Sequence, residues 1–162
     1  MAATACGSYA RTVSRFWSGA LRFFYRVITR LTPMIRPLAA TVGLGNVVEL
    51  IVTGRTSGRR RVVLLGLLRI RGDWYLGHPN GSVAWTRNLD AAGSALLVLP
   101  HRQPVVVRPV LLAHGEERRD VVLATWRQHV FPGNLIYWLA RRHILAVGRY
   151  YRIEPLGRRA DN

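Results

Sequence analysis

From residue 47 onward the chain is cut into short apolar runs, each closed by a turn signal. Runs of this kind, rich in Val, Leu and Ile and bounded by Gly, Pro, Asn or Asp, read as β-strands. Residues 47–53 (VVELIVT) form the first. Residues 61–70 (RVVLLGLLRI) form a longer one, apolar on both faces and so expected to be buried. Arg71-Gly72-Asp73 is a tight turn that sends 74–78 back antiparallel. Residues 95–100 and 104–113 form a second hairpin, in which Pro109 marks an edge or a bulge. Residues 148–156 form a last strand, whose adjacent Tyr150 and Tyr151 must face opposite sides. Five or six antiparallel strands with few helices predict an α+β, mainly β chain built on a small barrel.

Helical patterns fill the gaps. Residues 82–93 read as a short helix ended by Gly93. Residues 115–130 read as a helix with Glu116 and Glu117 in its first turn, where the helix dipole favours acids. Residues 134–144 form another, whose Tyr137 and Trp138 read as packing residues or as a cover over the substrate side of a cleft. Residues 11–31 form the most amphipathic segment. At 100° per residue, Arg11, Arg15, Arg22, Arg26 and Arg30 share roughly a quarter turn, opposite Phe16, Trp17, Leu21, Phe23, Phe24, Val27, Ile28 and Leu31. That pattern suits a helix packed on the domain or one lying on an anionic membrane surface. Pro33 and Pro37 end it, and 38–46 lead flexibly into the first strand. The expected layout is a helix and linker over 1–44, a barrel over 45–156 and a frayed tail over 157–162.

Composition narrows the partners. The chain of 162 residues carries 24 basic against 8 acidic side chains, a net charge of +16, and every basic residue is arginine. Such an excess predicts an anionic partner. No nucleic-acid motif accompanies it, so nucleic acid is not the expected one. One cysteine, Cys6, allows no internal disulfide and fits a reducing compartment. No apolar run approaches the roughly 18 residues of a membrane-spanning helix, and arginines interrupt the only stretch placed like a signal peptide. The expected location is the cytoplasm, with the inner membrane face as a docking surface. His101, His114, His129 and His143 lack metal-ligand spacing, so no metal is expected.

The segment 53–65 (TGRTSGRRRVVLL) concentrates backbone freedom and charge at the mouth of a strand. Gly54 and Gly58 permit a turn whose N–H groups converge on an anion, with Thr56 and Ser57 adding hydroxyls and Arg55, Arg59, Arg60 and Arg61 adding charge. The order is neither that of a phosphate-binding P-loop nor that of a nucleophile elbow. An ordinary solvated hairpin is the competing reading.

This turn, followed by WYLGHPNGS and then AWTRNLDAAGSALLVL, resembles the deazaflavin (coenzyme F420)-dependent nitroreductase family, the Ddn-like split β-barrel oxidoreductases. The likeness is specific over about 45–110 and looser to 155, and the first helix is similar to the family's membrane-associated one. It implies a split β-barrel of the flavin-reductase-like, FMN-binding type, and coenzyme F420 rather than FMN as cofactor. The cofactor's phosphate and oligoglutamate tail would sit on the turn, at Arg55, Thr56, Ser57, Gly58, Arg59 and Arg61. Its ring would lie between the turn and a second loop, against Leu64, Leu65, His78, Pro79, Asn80, Gly81, Trp85 and Asn88. The implied reaction is hydride transfer to a quinone-like, nitroaromatic or other electrophilic acceptor, with no catalytic side chain identified. Trp85 also reads as a core aromatic, His78 as a plain loop histidine or a proton donor, and Asn88 as a loop brace. Thr56, Leu64, Pro79 and Asn80 depart from the family pattern. Those departures keep a second reading open, a non-catalytic barrel holding a lipid, a tetrapyrrole or another hydrophobic anion.

Overall fold

In the computed structural model, residues 16–23, 26–27, 46–128 and 133–156 are described. The expectations for Cys6, Pro33, Pro37, His129, most of the 1–44 segment and the 157–162 tail lie outside them. Seven antiparallel strands form one sheet: β1 (Val47–Thr53), β2 (Arg60–Gly66), β3 (Leu68–Ile70), β4 (Asp73–His78), β5 (Ala95–Val98), β6 (Val105–Leu111) and β7 (Arg149–Pro155), in the order β2-β1-β5-β6-β7-β4-β3. Helix α1 covers 16–23. It is followed by α2 (Ala84–Ala92), α3 (Glu116–Gln128), α4 (Gly133–Leu139) and α5 (Arg141–Val147).

The sheet's two edge strands are consecutive in sequence, separated only by Leu67. The expected single strand over 61–70 therefore bends, its first part pairing with β1 and its last with β4. This corrects both the strand count and the burial expected there. Most of β2 is a half-open edge, with Val62 56% exposed, whereas Leu67 and Leu68 at the bend are buried. One segment serving both edges curls the sheet into a half-barrel in which β2 remains an open edge. At β3 the remaining edge is covered by a side chain. The Gln128 amide accepts from the Arg69 N–H (3.2 Å) and donates to the Arg69 carbonyl (3.2 Å), as a neighbouring strand would.

Alternation along the strands builds two cores. Val48, Leu50, Val52, Leu76, Leu97, Val107, Tyr151 and Ile153 point into the barrel, which Trp85 and Leu89 of α2 plug. Each fully buried Leu there stabilises the fold by roughly 1.5–3 kcal/mol relative to exposure. The opposite side of β3, β4 and β7 packs against α1, α3, α4 and α5 through Tyr75, Tyr150, Val121, Tyr137, Ile144 and Leu21. Tyr150 and Tyr151 thus serve different cores. Gly77 faces Tyr150 across the β4–β7 ladder, and the ring occupies the space a side chain at 77 would need.

The turn chemistry follows the sequence closely. Arg71 (φ 52°) and Gly72 (φ 90°) make the two-residue hairpin between β3 and β4, both with the positive φ such turns require. Gly93 (φ 66°) closes α2, donating to the Leu89 carbonyl at 3.0 Å. Pro109 lies beyond Val107, the last β6 residue paired with β5, so no ladder bond to β5 is lost there. The helix expected over 134–144 is two short helices broken at Ala140. Of the amphipathic first helix, Leu21 is fully buried in the helical layer, while Phe16 and Phe23 are 66% and 70% exposed. Its apolar face is therefore only partly used by the barrel.

Candidate functional site

The segment between β1 and β2 is a closed hairpin turn. Gly54 N–H donates to Arg59 O (2.9 Å), and Gly58 N–H, at φ 65°, donates to Gly54 O (2.8 Å). Arg59 N–H donates to Ser57 Oγ (3.4 Å). Asn88 Oδ1 accepts from both the N–H and Nη1 of Arg55 (3.3 Å each), pinning the turn to α2. The expected convergent nest is corrected here, because these amides are turned to the loop's own acceptors. What the turn presents outward is charge. Arg55, Arg59, Arg60 and Arg61 are exposed, as are Thr56, Ser57 and Gly58.

The second loop is packed away from this turn. His78 and Pro79 are buried, and Asn80 is half-buried. His78 Nδ1 accepts from Asn80 N–H at 3.1 Å, which leaves its proton on Nε2. Burial pulls its pKa down from 6.5 to about 4, so the ring is neutral at neutral pH and brings no charge to an anion. Asn80 donates through Nδ2 to Ser18 O of α1 (3.2 Å), and its Oδ1 meets His143 Nε2 of α5 (3.3 Å). Gly81 (φ 71°) presses so closely on α5 that a Cβ would lie 2.6 Å from Val147 O. The loop therefore joins the barrel to its helical layer.

Helix α2 stands between turn and loop. Val83 has no side chain able to cap it, so Thr86 Oγ1 accepts the Val83 N–H (2.8 Å) instead. Trp85 is 7% exposed, with its ring centroid 6.5 Å from that of His78 and 6.1 Å from that of Tyr151. It is a core aromatic, and Asn88 is the loop brace. The same helix is tied to β7 by a network with no obvious sequence signal. Arg149 Nε donates to Tyr151 Oη (2.7 Å), Tyr151 donates to Asp90 Oδ1 (2.8 Å), and Arg149 pairs with Asp90 at 2.9 Å. Burial and the neighbouring Asp90 raise the Tyr151 pKa well above that of a free phenol, so it stays protonated.

A concave site lies elsewhere, on the outer face of β1, β2 and β5. Among the described residues, α2 packs on the inner face of these strands, and the outer helical layer lies over β3, β4 and β7. The cleft has a volume of about 580 Å³ and is walled by Val47, Leu64, Val98 and the 99–103 connection. That volume falls within the range of small-molecule sites. The register explains its lining. Glu49 pairs with Leu64 on one side and Val98 on the other, so the three share a face. The same alternation puts Leu64 and Leu65 on opposite faces of β2. Leu64 lines the cleft, while Leu65, opposite Val48, packs toward the barrel core.

Arg60, opposite Thr53, lies on the Leu64 face of β2, four residues or about 13 Å along the strand. Arg61, opposite Val52, lies on the other face, toward α2. An apolar slot and the Arg60 guanidinium thus share one face of one hairpin, while Arg55 and Arg61 lie toward α2. Glu49, Arg60 and the His101–Gln103 rim complete that face. An acidic residue inside an otherwise apolar strand was the available signal for Glu49.

No protein-family model matches the sequence, and no curated protein matches it. Solved structures match by fold. A conserved hypothetical protein from Mycobacterium tuberculosis aligns with a TM-score of 0.53 at 15% identity, covering 75% of this chain and 80% of that one. HutZ, the heme storage protein from Vibrio cholerae, aligns at 0.52 and 12% identity, covering 78% and 91%. A candidate 5-nitroimidazole antibiotic resistance protein from Bacteroides thetaiotaomicron aligns at 0.52 and 11% identity, covering 72% and 77%. At such identities the likeness is one of fold, and the fold is the split β-barrel.

Proposed function

We propose that this chain is a deazaflavin-dependent reductase, taking reduced coenzyme F420 and passing a hydride to a quinone-like, nitroaromatic or other electrophilic acceptor. The observation that carries the reading is an apolar cleft with Arg60, at the edge of the arginine-rich turn, on the same face of the β1–β2 hairpin. That donor set fits a molecule with a flat apolar head and a multiply anionic tail. Arg60 and the neighbouring guanidiniums would hold the phosphate and carboxylates through charge-assisted, paired hydrogen bonds. Val47, Leu64 and Val98 would exclude water from the ring, and Asn88 holds Arg55 in place. The bound cofactor supplies the hydride; the protein supplies binding and orientation. Phe16 and Phe23, exposed beside Arg22 and Arg26, support placing α1 against an anionic membrane surface, where lipid-soluble acceptors reside.

Titration of the cofactor's fluorescence with the purified protein tests the reading. The expected result is saturable binding in the micromolar range or tighter. An Arg60→Ala variant is expected to bind at least about tenfold more weakly, since a charged hydrogen bond contributes roughly 1.5–3 kcal/mol. A flat titration overturns the reading. In that case a tetrapyrrole absorbance band or a co-purifying lipid would identify the chain as a non-catalytic binding barrel.

A further inference from the structure

Three large apolar side chains of α4 face solvent. Leu135, Trp138 and Leu139 are 48%, 43% and 48% exposed, while Tyr137 of the same helix, and Ala140 at the break before α5, are buried in the helical layer. At 100° per residue the exposed three fall within an arc of about 100°. Apolar side chains scattered singly over a surface are ordinary, but three on adjacent turns of one helix make a patch. Arginine frames it. Arg141 Nη1 donates to the Trp138 carbonyl (2.8 Å), an acceptor left over in the last turn of α4, and its guanidinium lies over the Trp138 ring, 4.6 Å from the centroid. Arg142 follows and is exposed. The sequence keeps carboxylates away from this charge. None lies between Asp120 and Glu154, and none precedes Glu49. Helices α1 and α4, which meet the same core through Leu21 and Tyr137, are both drawn from those acid-free stretches. Of the acids on α3, Glu117 and Asp120 pair with Arg152 and Arg71.

We infer that this side of α4, together with Arg141 and Arg142, seats on an anionic bilayer as a contact separate from that of α1. Tryptophan and leucine interleaved with arginine suit the boundary between headgroups and acyl chains, where the apolar groups enter and the guanidiniums stay with phosphate. With seven residues α4 can lie on a bilayer but not cross one. A second copy of the chain fits this surface poorly, because it would bring the same positive charge. The surface belongs to the helical layer and not to the cleft, and nothing in it depends on the reductase reading.

Flotation of the full chain with lipid vesicles tests the contact. Two compositions are compared, phosphatidylcholine alone and phosphatidylcholine with one-third phosphatidylglycerol. Wild type is expected to float with the anionic vesicles, less so as salt rises, and to stay behind with the neutral ones. A Leu135→Ser, Trp138→Ser, Leu139→Ser variant, altered only at exposed side chains, should partition at least about tenfold more weakly. An Arg141→Gln, Arg142→Gln variant should lose part of the preference for anionic vesicles. Brominated acyl chains quench nearby indoles, so they should quench wild type to a greater extent than Trp138→Phe. The contact is overturned if wild type floats with neither composition, if it floats equally with both, or if the serine variant floats as well as wild type, which would leave α1 as the docking element. Retention on polyglutamate beads without flotation also overturns it, in favour of an acidic protein partner. Should a variant melt early, the quenching contrast between wild type and Trp138→Phe still decides, since equal quenching of the two removes α4 from the bilayer.

Discussion

Gly77→Ala is expected to damage the fold although it adds a single methyl group. The position lies within β4, and its backbone is not in the left-handed region, so alanine is not excluded by its φ. The obstacle is Tyr150, the cross-strand partner. A Cβ at 77 would fall inside contact distance of Cδ1 and Cε1 of that ring and 2.9 Å from its Cγ. Tyr150 is 1% exposed and wedged in the core between sheet and helices, so it cannot swing outward. Overpacking of this kind costs about 1–3 kcal/mol. Ridding the unfolded chain of glycine's freedom offsets about 0.4–1 kcal/mol. With the ring immobile, the net loss is about 2 kcal/mol, or a fall in Tm of about 4–8 °C. Urea or thermal unfolding of wild type, Gly77→Ala, Tyr150→Leu and the double variant measures it. In the Tyr150→Leu background the added methyl has room, so Gly77→Ala should cost close to nothing there. A neutral Gly77→Ala, or an equal cost in both backgrounds, refutes the steric argument.

Two further outcomes follow from the buried polar groups. His78 has a folded pKa of about 4 against 6.5 when unfolded, so below pH 6.5 the unfolded state takes up the proton first. Its contribution is fully present above pH 6.5 and declines as pH falls toward 4, by on the order of 3 kcal/mol. Urea midpoints from pH 7.5 to 4 should therefore fall more steeply for wild type than for His78→Asn, and parallel slopes would remove His78 as the cause. Arg118 is buried and donates to Leu145 O (2.8 Å) and Gly148 O (2.6 Å), clamping the end of α5 to α3. Arg118→Met should cost about 2–4 kcal/mol by stranding those carbonyls. Arg118→Lys, without the fork, should recover little of it, and a Met variant as stable as wild type would contradict the clamp.

Local rules reach most of the strands and turns because each depends on neighbours in sequence. Arg71-Gly72 turns and Gly93 caps for the reasons their residue types suggest, and Pro109 sits where β5 has ended. The bend at Leu67 escapes those rules. Residues 62–68 are uniformly apolar apart from Gly66, with no Pro, Asn or Asp to mark a break. Whether that run stays straight is decided by β1 pairing with its first half and β4 with its second, contacts far apart in sequence.

The same limit explains the site. A glycine- and arginine-rich turn is visible in sequence, but not that the Gly54 and Gly58 amides turn inward and leave guanidinium side chains as its outward chemistry. The leucines at 64 and 65 read as one pocket wall, yet a period of two sends them to opposite faces, and pairing assigns the first to the cleft. Residues such as Val47, Val98 and Val62 are of the same type as those in the core, so composition cannot separate a covered face from an open one. The helices make that separation, since among the described residues those packed on the sheet's outer face gather on β3, β4 and β7. Of the residues the motif brought forward, His78 and Trp85 are buried and Leu64 lines the cleft, and strand pairing and packing rather than residue type decide between them.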